Sequence, residues 1–351
     1  MDGPHARARP GWPFLGEGAT ALTRTLLVIL LSLVVFGVFL SITGRDPIAA
    51  FQKVYIGTLG SRTGLAEVGV RAIPFVLTAL AAAIPARVGL INVGGEGQLY
   101  IGAWAATGVA LYSGGPIWVM LPAMMIAGFA AGATWGGIAI ALRNLRGVNE
   151  VISTLLLNYV GILLVNVFVF GPWKSPTGNN YPYTPTFHPN AILQSFGDTR
   201  FHLGIILPLL AVTVFTLVQN KTRWGFNMRA VGGNPEAARR RGIPVGRYLT
   251  VAMLVGGGVA GLAGMAEVSG VQHHLRPGIS SGYGYFGFLA SWMADHHPIA
   301  LVGTGSLLAL VTVGGDLLQF SADLPSAAMN ILIGLMLFMV LGMRPLKRAT
   351  A

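Results

Sequence analysis

Long apolar runs, separated by short polar segments, follow one another along almost the whole of this chain. The first extends from Thr25 to Ile42 without a charged residue, and runs of the same character continue to Met343. A helix needs about 20 predominantly apolar residues to cross a bilayer, and a soluble domain carries roughly 25% charged residues. This chain is 53% hydrophobic and only 10% charged. The pattern predicts an all-α integral membrane protein.

We predict a polytopic bundle of about ten transmembrane segments between residues 25 and 343. The segments are Thr25–Ile42, Val68–Ala86, Leu99–Tyr112, Ile117–Leu142, Val151–Gly171, Leu203–Gln219, Leu249–Ser269, Tyr283–Ala294, Pro298–Leu318 and Ser326–Met343. The third and the eighth are too short for a straight crossing, and each opens with a glycine-rich run, so both are expected to be tilted, broken or re-entrant. The first exceeds a signal-peptide core of roughly 7 to 15 residues and is expected to be a retained anchor.

Positive charge is divided unevenly between the two sides of the predicted bundle. With ten crossings, sixteen of the 23 lysines and arginines fall on the side that carries both termini. The other seven are Arg45, Lys53, Arg62, Arg71, Lys174, Arg200 and Arg276. Because cytoplasmic loops hold the excess of basic residues, residues 1–24 and 344–351 are predicted to be cytoplasmic tails. The net charge of +11 is spread over short loops, which argues against a nucleic-acid-binding surface.

Two polar segments are too long to be simple turns. Residues 172–202, rich in Pro, Asn and Tyr, are predicted to lie outside the cell, and residues 220–248 inside it. The inner segment holds seven of the sixteen positive charges on its side. A partner on each side of the membrane is therefore expected.

The inner segment also contains the start and stop signals of a short helix, in the run NPEAARRRG. Its residues are Asn234, Pro235, Glu236, Ala237, Ala238, Arg239, Arg240, Arg241 and Gly242. Asn suits the N-cap, Pro the first position, an acidic residue the first turn, arginines the last turn and Gly the end. A helix of about seven residues is marginal alone in water, so it is expected to dock on another surface. The alternative is a basic loop that only fixes topology.

Polar residues follow one face of the fifth apolar segment, where Glu150, Thr154, Asn158 and Asn166 are spaced by four, four and eight. Burying an ionisable group in the bilayer is costly, so this face is expected to line a bundle interior or a substrate path. Two alternatives stay open. The polar residues are hydrogen bonds between helices, or Glu150 is solvated at the inner interface.

The run INVGGEGQLYI at 91–101 places Asn92, Glu96 and Gln98 among glycines in an apolar region. Non-helical backbone at membrane depth is tolerated only where it is buried in protein or lines a cavity. Broken segments of this kind mark transporter binding regions and gates, so these three polar residues are predicted to lie on the substrate path.

A second glycine-rich run, SSGYGYFGFLASW at 280–292, occupies a comparable place in the second half and suggests a repeat. Tyr283 and Phe286 are predicted path residues whose rings stack on a planar ligand, and Tyr285 and Phe288 belong to the same group. The alternative for each is a core or interface aromatic. In the seventh segment, Ala252, Gly256, Ala260 and Gly264 form a small-residue face typical of close helix packing.

Several kinds of chemistry are missing. The chain has no cysteine, which excludes disulfides and thiolate chemistry, and no lysine follows a glycine, which excludes a phosphate-binding Walker loop. A G-x-S-x-G match at 278–282 lacks a preceding strand and is interpreted as chance. The histidine pairs at 273–274 and 296–297 lack the spacing of a metal site. We therefore predict no catalytic residue, metal or cofactor.

Four stretches resemble the permease subunits of bacterial ABC importers for simple sugars and nucleosides, in the superfamily that includes branched-chain amino acid permeases. They are RAIPFVLTALAAAIPARVGLINVGGEGQLYIGAW, GVNEVISTLLLNYV, GFNMRAVGGNPEAARRRGI and GYGYFGFLASWMADHHPIALV. The form N-x-G-x-E-G-Q, which begins at Asn92, resembles the nucleoside-type branch more than the ribose-type branch. The resemblance extends from about Arg45 to Met343.

The resemblance implies partners on both sides of the membrane. The helix at 234–242 would be the coupling element, seated in a groove of a separate ABC ATPase subunit that uses the ATP. A second related permease chain would complete the pathway, and an extracytoplasmic substrate-binding protein or lipoprotein would deliver a small-molecule solute. The chain would be a multi-pass protein in the lipid of the bacterial cytoplasmic (inner) membrane. It would move nucleosides inward by alternating access.

Three alternatives remain from the sequence. The same importer architecture carries a simple sugar or a branched-chain amino acid, or the chain is an ATP-independent secondary transporter, or it is a membrane enzyme for a lipid-linked substrate. The enzyme hypothesis predicts clustered catalytic residues at one interface, whereas the twelve acidic residues are scattered.

Overall fold

The computed structural model describes residues 17–176, 181–322 and 327–342, and within these ranges the regular structure is helical. The α-helices are α1 Glu17–Ile42, α2 Pro47–Thr58, α3 Arg62–Ala86, α4 Gly95–Tyr112, α5 Ile117–Arg146, α6 Glu150–Phe170, α7 Ile206–Lys221, α8 Arg223–Gly233, α9 Pro235–Arg240, α10 Val245–Glu267, α11 Tyr283–Met293, α12 Pro298–Ala322 and α13 Ala327–Gly342. Short 3₁₀ turns lie at Pro189–Ala191 and Leu203–Ile205, and a π-turn at Val268–Gln272. Each predicted segment overlaps one of these helices.

Six helical stretches among the described residues are long and apolar enough to cross a membrane. They are Arg62–Ala86, Ile117–Arg146, Glu150–Phe170, Leu203–Lys221, Val245–Gln272 and Pro298–Gln319. The chain is therefore a multi-pass, all-helical membrane protein. Helix α11 has 11 residues and a length of about 16 Å, half the thickness of the hydrocarbon core, so it does not cross alone. A total of ten crossings and cytoplasmic termini stay predictions.

The structure describes the predicted tails only in part, and it contains two helices that the predicted segments do not include. Residues 1–16 and 343–351 lie outside the described residues, and α1 already begins at Glu17 within the predicted N-terminal tail. Helices α2 and α8 are helices that the apolar pattern did not predict. The signal for α2 is local, because the Asp46 Oδ1 oxygen accepts from the Ile48 N–H at 2.8 Å and Pro47 opens the helix.

The described chain divides into two compact units. The first takes the residues up to Lys53 and from Leu318 onward, and within it α1 packs along α13. Phe36 of α1 is 1% exposed, and its ring centroid lies 6.4 Å from that of Phe51. The second unit, Val54–Leu317, contains every residue of the sites described below.

Helix α10 is the centre of the second unit and packs against α3, α4 and α5. Glycines allow these contacts. A Cβ at Gly256 would lie 2.7 Å from the Ala81 carbonyl oxygen of α3, and one at Gly264 would collide with the Leu99 carbonyl of α4. Gly261 of α10 likewise meets the backbone of Gly128 in α5. The small-residue face predicted for this helix is thus confirmed, because its glycines let the backbones of neighbouring helices approach closely.

The 172–202 segment and the α8–α9 region lie at opposite ends of α7. The first returns to α10 at its π-turn, where the Ser269 hydroxyl donates to the Ala191 carbonyl at 2.7 Å. His202, 1% exposed, caps the turn before α7 by accepting from the Gly204 N–H at 3.1 Å, and its ring lies against Gly270. Residues 177–180 of this segment are outside the described residues.

Candidate functional site

The backbone between α3 and α4 is not helical, as the run at 91–101 predicts. The break occupies residues 87–94, and Gly89 turns the chain there with φ +83°. The glycines that follow serve close contact more than the break itself. A Cβ at Gly97 would lie 2.8 Å from the Asn158 Cα of α6, and one at Gly95 would lie 3.4 Å from the Gly284 Cα of α11. Helix α4 therefore begins where it is held between α6 and α11.

Two buried amide side chains close the break from within. Asn92 Nδ2 donates to Gln98 Oε1 at 3.0 Å, and Gln98 Nε2 donates to Asn92 Oδ1 at 3.0 Å. Asn92 also accepts from the Gly94 N–H at 3.0 Å and donates to the Ala81 carbonyl at 3.3 Å. Asn92 is 2% and Gln98 1% exposed. This pair ties the break to α3 and to the first turn of α4.

Helix α6 holds the same break from the side. Asn158 accepts from the Gly97 N–H at 2.8 Å and donates to the Val93 carbonyl at 2.9 Å. One turn earlier, the Thr154 hydroxyl accepts from the Val93 N–H at 3.3 Å. Both side chains are buried, so the spacing of four along α6 places two polar groups on two successive parts of the break.

Glu96 connects α4 to the second glycine-rich run. Its Oε2 accepts from the Gly284 N–H in the first turn of α11 at 2.7 Å, and its side chain also hydrogen-bonds to Ser280. Only 2% of Glu96 is exposed. We call Asn92, Glu96, Gln98, Thr154 and Asn158 the polar lock. Five predicted path residues are thus brought together, from two helices and the break, and Glu96 joins them to a third helix, α11.

The predicted aromatic residues lie beside the lock. Tyr283 is 5% exposed and meets Phe75 edge-on with ring centroids 5.1 Å apart, and Phe286 lies 6.2 Å from the same ring. These contacts make both rings part of the α3–α11 packing. Tyr285, between them, hydrogen-bonds to Asn158 and is only partly buried. Its alternation with Tyr283 in the run GYGYFGF is the signal that places it on the other face.

Glu150 stands at the edge of this group. It pairs with Arg143 at the end of α5 at 2.5 Å, and its Oε1 lies 3.5 Å from the Ile91 N–H of the break. The Glu150 side chain is 11% exposed. The carboxylate therefore links α5, α6 and the break. Asn166, two turns beyond Asn158, has a buried Oδ1 without a hydrogen-bond partner.

A cavity of about 150 Å³ adjoins the lock between the end of α3, the break and α11. Ala86, Leu90, Asn92, Phe288 and Trp292 are among the residues that line it. Among the described residues, no three His, Asp or Glu side chains come close enough to share a metal ion. The lock thus lies beside an open space, and its chemistry is hydrogen bonding.

The short basic helix forms as its sequence signals predict. In α9, Asn234 Oδ1 accepts from the Ala237 N–H at 3.0 Å, and Gly242 follows the last turn with φ +78°. Ala238 faces inward at 4% exposure, whereas the side chains of Arg239 and Arg240 are 66% and 81% exposed. Both pair with Glu236 on the helix surface. The outward face is therefore basic and open to a partner.

Comparison with known proteins places these features in a family. A profile described as "Branched-chain amino acid transport system / permease component" matches residues 64–341, which include the lock, both glycine-rich runs and α9. Residues 1–53 of the first compact unit lie outside this match, whereas residues 318–341 of the same unit lie within it.

Three curated relatives cover most of the chain. It is 34% identical to a glucose ABC transporter permease protein of Haloferax volcanii, over 97% of this chain and 91% of that one. It is 30% identical to the guanosine ABC transporter permease protein of Bacillus subtilis, over 90% of this chain and 91% of that one. It is 29% identical to a nucleoside ABC transporter permease protein of Lactococcus lactis, over 83% and 84%.

Proposed function

Because the chain belongs to the family of branched-chain amino acid transport system permease components, we propose that it is the membrane-spanning subunit of an ABC importer for nucleosides. As a permease it is not an enzyme, and it works in a system with an ATPase and a substrate-binding protein. The observation that carries the proposal is the pairing of a closed polar lock at a helix break with a capped basic helix that is open to a partner.

The lock is proposed as the gate of the pathway. While it is closed, its amide groups bond to each other and to the backbone of the break and of α3, so the amides of the lock have partners. When the break moves away from α6, the amides of Asn92, Gln98 and Asn158 become available to the solute. An amide presents a donor and an acceptor side by side, as the edge of a nucleobase does. Tyr285, bonded to Asn158, adds an aromatic face to the same place.

The basic helix is proposed as the contact with the ATPase subunit. Its exposed arginines lie on the side where most of the positive charge of the sequence falls, which supports a cytoplasmic position. ATP hydrolysis in that subunit would move residues 234–242 and switch the pathway between its two open sides. A second permease chain facing this one, an extracytoplasmic binding protein near residues 172–202, ten crossings and the bacterial inner membrane complete the proposal.

Glucose is the second candidate cargo, because the glucose permease of Haloferax volcanii is 34% identical and matches 97% of this chain. Nucleosides are favoured by two relatives, the guanosine and nucleoside permeases, and by the N-x-G-x-E-G-Q form at the lock. The relatives disagree on cargo while agreeing on architecture, so substrate must be decided by transport itself.

The test is uptake by the assembled transporter, reconstituted in proteoliposomes with its ATPase, partner permease and binding protein. Guanosine is expected to stimulate ATP hydrolysis and to be taken up, and excess glucose is expected not to compete. Stimulation by glucose alone would transfer the cargo to a sugar and leave the permease role intact. Uptake that continues without the ATPase would contradict the importer itself.

A further inference from the structure

Helices α8 and α9 are joined without a linker. Asn234 ends α8, since its N–H donates to the Ala230 carbonyl at 3.1 Å, and the same residue caps α9 through its side chain. A displacement of α9 therefore displaces α8 with it. Val231 is fully buried and Met228 is 2% exposed, so α8 is itself packed into the bundle and does not swing freely.

Helix α8 contacts the break between α3 and α4 through its backbone. Gly232, in its last turn, lies directly against the Arg87 carbonyl, and a Cβ there would also come within 3.4 Å of the Val88 Cα. Residues 87–94 are the break that carries Asn92 and leads into α4. The end of α8 thus presses on the start of the break, five residues before the lock.

The Arg87 side chain reaches the other broken element. Its guanidinium donates to the His296 carbonyl at 2.5 Å, in the turn between α11 and α12. In that turn Asp295 and His296 both have positive φ, 50° and 57°. Arg87 therefore contacts the break through its backbone and the turn after α11 through its side chain. At the other end of α11, the Gly284 N–H donates to Glu96 of the lock.

The neighbourhood has room for movement. The cavity of about 150 Å³ lies between the end of α3, the break and α11, and its lining includes Ala86, Gly89 and His296. Close-packed interiors resist displacement, whereas an unfilled space beside a hinge allows one. Gly89 has a left-handed backbone conformation, which residues other than glycine rarely adopt.

We propose that Gly232 and Arg87 are positioning residues that transmit the movement of α9 to the lock, through the Gly232–Arg87 contact to the break and through the Arg87–His296 bond to α11. The inference rests on the proposed coupling role of residues 234–242. It names the contacts through which a movement of α9 would reach the lock. Because these contacts involve both the break before α4 and helix α11, the two would move together.

The matched experiment uses two neighbouring glycines. Gly232→Ala places a methyl group against the Arg87 carbonyl, whereas Gly233→Ala meets nothing within 4 Å. Both gain the same helix propensity. In proteoliposomes containing the full transporter, uptake per ATP hydrolysed is measured with radiolabelled guanosine, or glucose if that is the cargo. Gly232→Ala is expected to lower this ratio about fivefold at unchanged complex assembly and basal ATPase rate, and Gly233→Ala is expected to keep it.

Two further variants separate the possible failures. Ala238→Pro breaks α9, so an unchanged ratio in that variant overturns the proposed coupling role and not the route. Arg87→Lys keeps the backbone contact and the charge but shortens the reach to His296, and it decides the matter if Gly232→Ala does not assemble. A lower ratio in Arg87→Lys supports the route. A wild-type ratio in Gly232→Ala and Arg87→Lys, or an equal loss in Gly233→Ala, overturns it.

Discussion

The polar lock and the basic helix α9 both interrupt the apolar chain with polar residues, yet they treat those residues in opposite ways. Asn92 and Asn158 are 2% and 0% exposed, and their amide groups bond to partners within the chain. The side chains of Arg239 and Arg240 are 66% and 81% exposed and hold only surface pairs. The polar groups of the lock hold parts of the chain together, whereas the arginines of α9 are left at the surface, where a partner could contact them.

The difference follows from the cost of leaving a polar group without a partner. Inside a bilayer there is no water to replace a lost hydrogen bond, so every donor of the break has to be matched by the fold. At the protein surface an arginine is solvated by water and needs no partner within the chain. Changes in the lock should therefore alter the stability of the chain, and changes in α9 should alter its association.

The largest effect is expected from Asn158→Leu. The variant leaves the Gly97 N–H and the Val93 carbonyl without partners, so the free energy of unfolding should fall by about 2 to 4 kcal/mol. The matched control is Asn166→Leu on the same helix, whose Oδ1 has no partner to lose and which should be neutral or stabilising. Unfolding by SDS in mixed micelles measures both. If the free energy of unfolding falls equally in the two variants, the effect comes from the loss of any polar side chain on α6 and not from the loss of the two Asn158 hydrogen bonds.

A pH titration tests a buried polar group outside the lock, the imidazole of His202. His202 lies outside the spanning segments, and its burial, together with His273 and Arg200, lowers its pKa from 6.5 to about 4. Between these values the unfolded chain binds a proton that the folded chain does not. Folding stability is therefore complete above pH 6.5 and declines as the pH falls to about 4, by up to about 3 kcal/mol.

The control for this titration is His202→Gln, which keeps an acceptor for the Gly204 N–H but does not titrate. The difference in unfolding free energy between wild type and variant should change between pH 6.5 and 4 and stay constant above pH 7. A difference that is independent of pH across the whole range would mean that the folded protein accepts the proton.

Much of the fold is readable from local signals. Apolar length predicts ten segments, of which six described helical stretches are long enough to cross a membrane, and the small residues at 256 and 264 lie where α10 meets α3 and α4. Helix α9 was predicted from its caps alone. Helix α8 was missed because its mixed sequence, RWGFNMRAVGG, has no apolar length, and it forms through tertiary contacts such as the Trp224–Tyr248 rings at 4.2 Å.

The sequence predicts which polar residues meet in the lock, but not their geometry, and it does not predict that Tyr283 and Phe286 pack against Phe75. Unusual polarity in an apolar run marked Asn92, Glu96 and Gln98, and a spacing of four marked Thr154 and Asn158. Their meeting depends on contacts between residues more than fifty positions apart, such as Gly97 with Asn158, which no local pattern encodes. The alternation of Tyr283 inward and Tyr285 toward Asn158 likewise depends on how α11 is seated on α4.

The smallest effect on stability is expected from Arg240→Glu in α9. Arg240 is 81% exposed and 3.7 Å from Glu236, a surface pair that contributes little, so the unfolding free energy should change by less than about 0.5 kcal/mol. Reversing the charge of the docking face should nevertheless weaken association with the ATPase subunit about tenfold, and more at low salt. Arg146→Glu, exposed in the last turn of α5 on the same predicted side, is the matched control. If pulldown of the ATPase weakens equally in both variants, the association depends on the overall charge of that side. The comparison of the lock with α9 then gives α9 no specific contact with the ATPase.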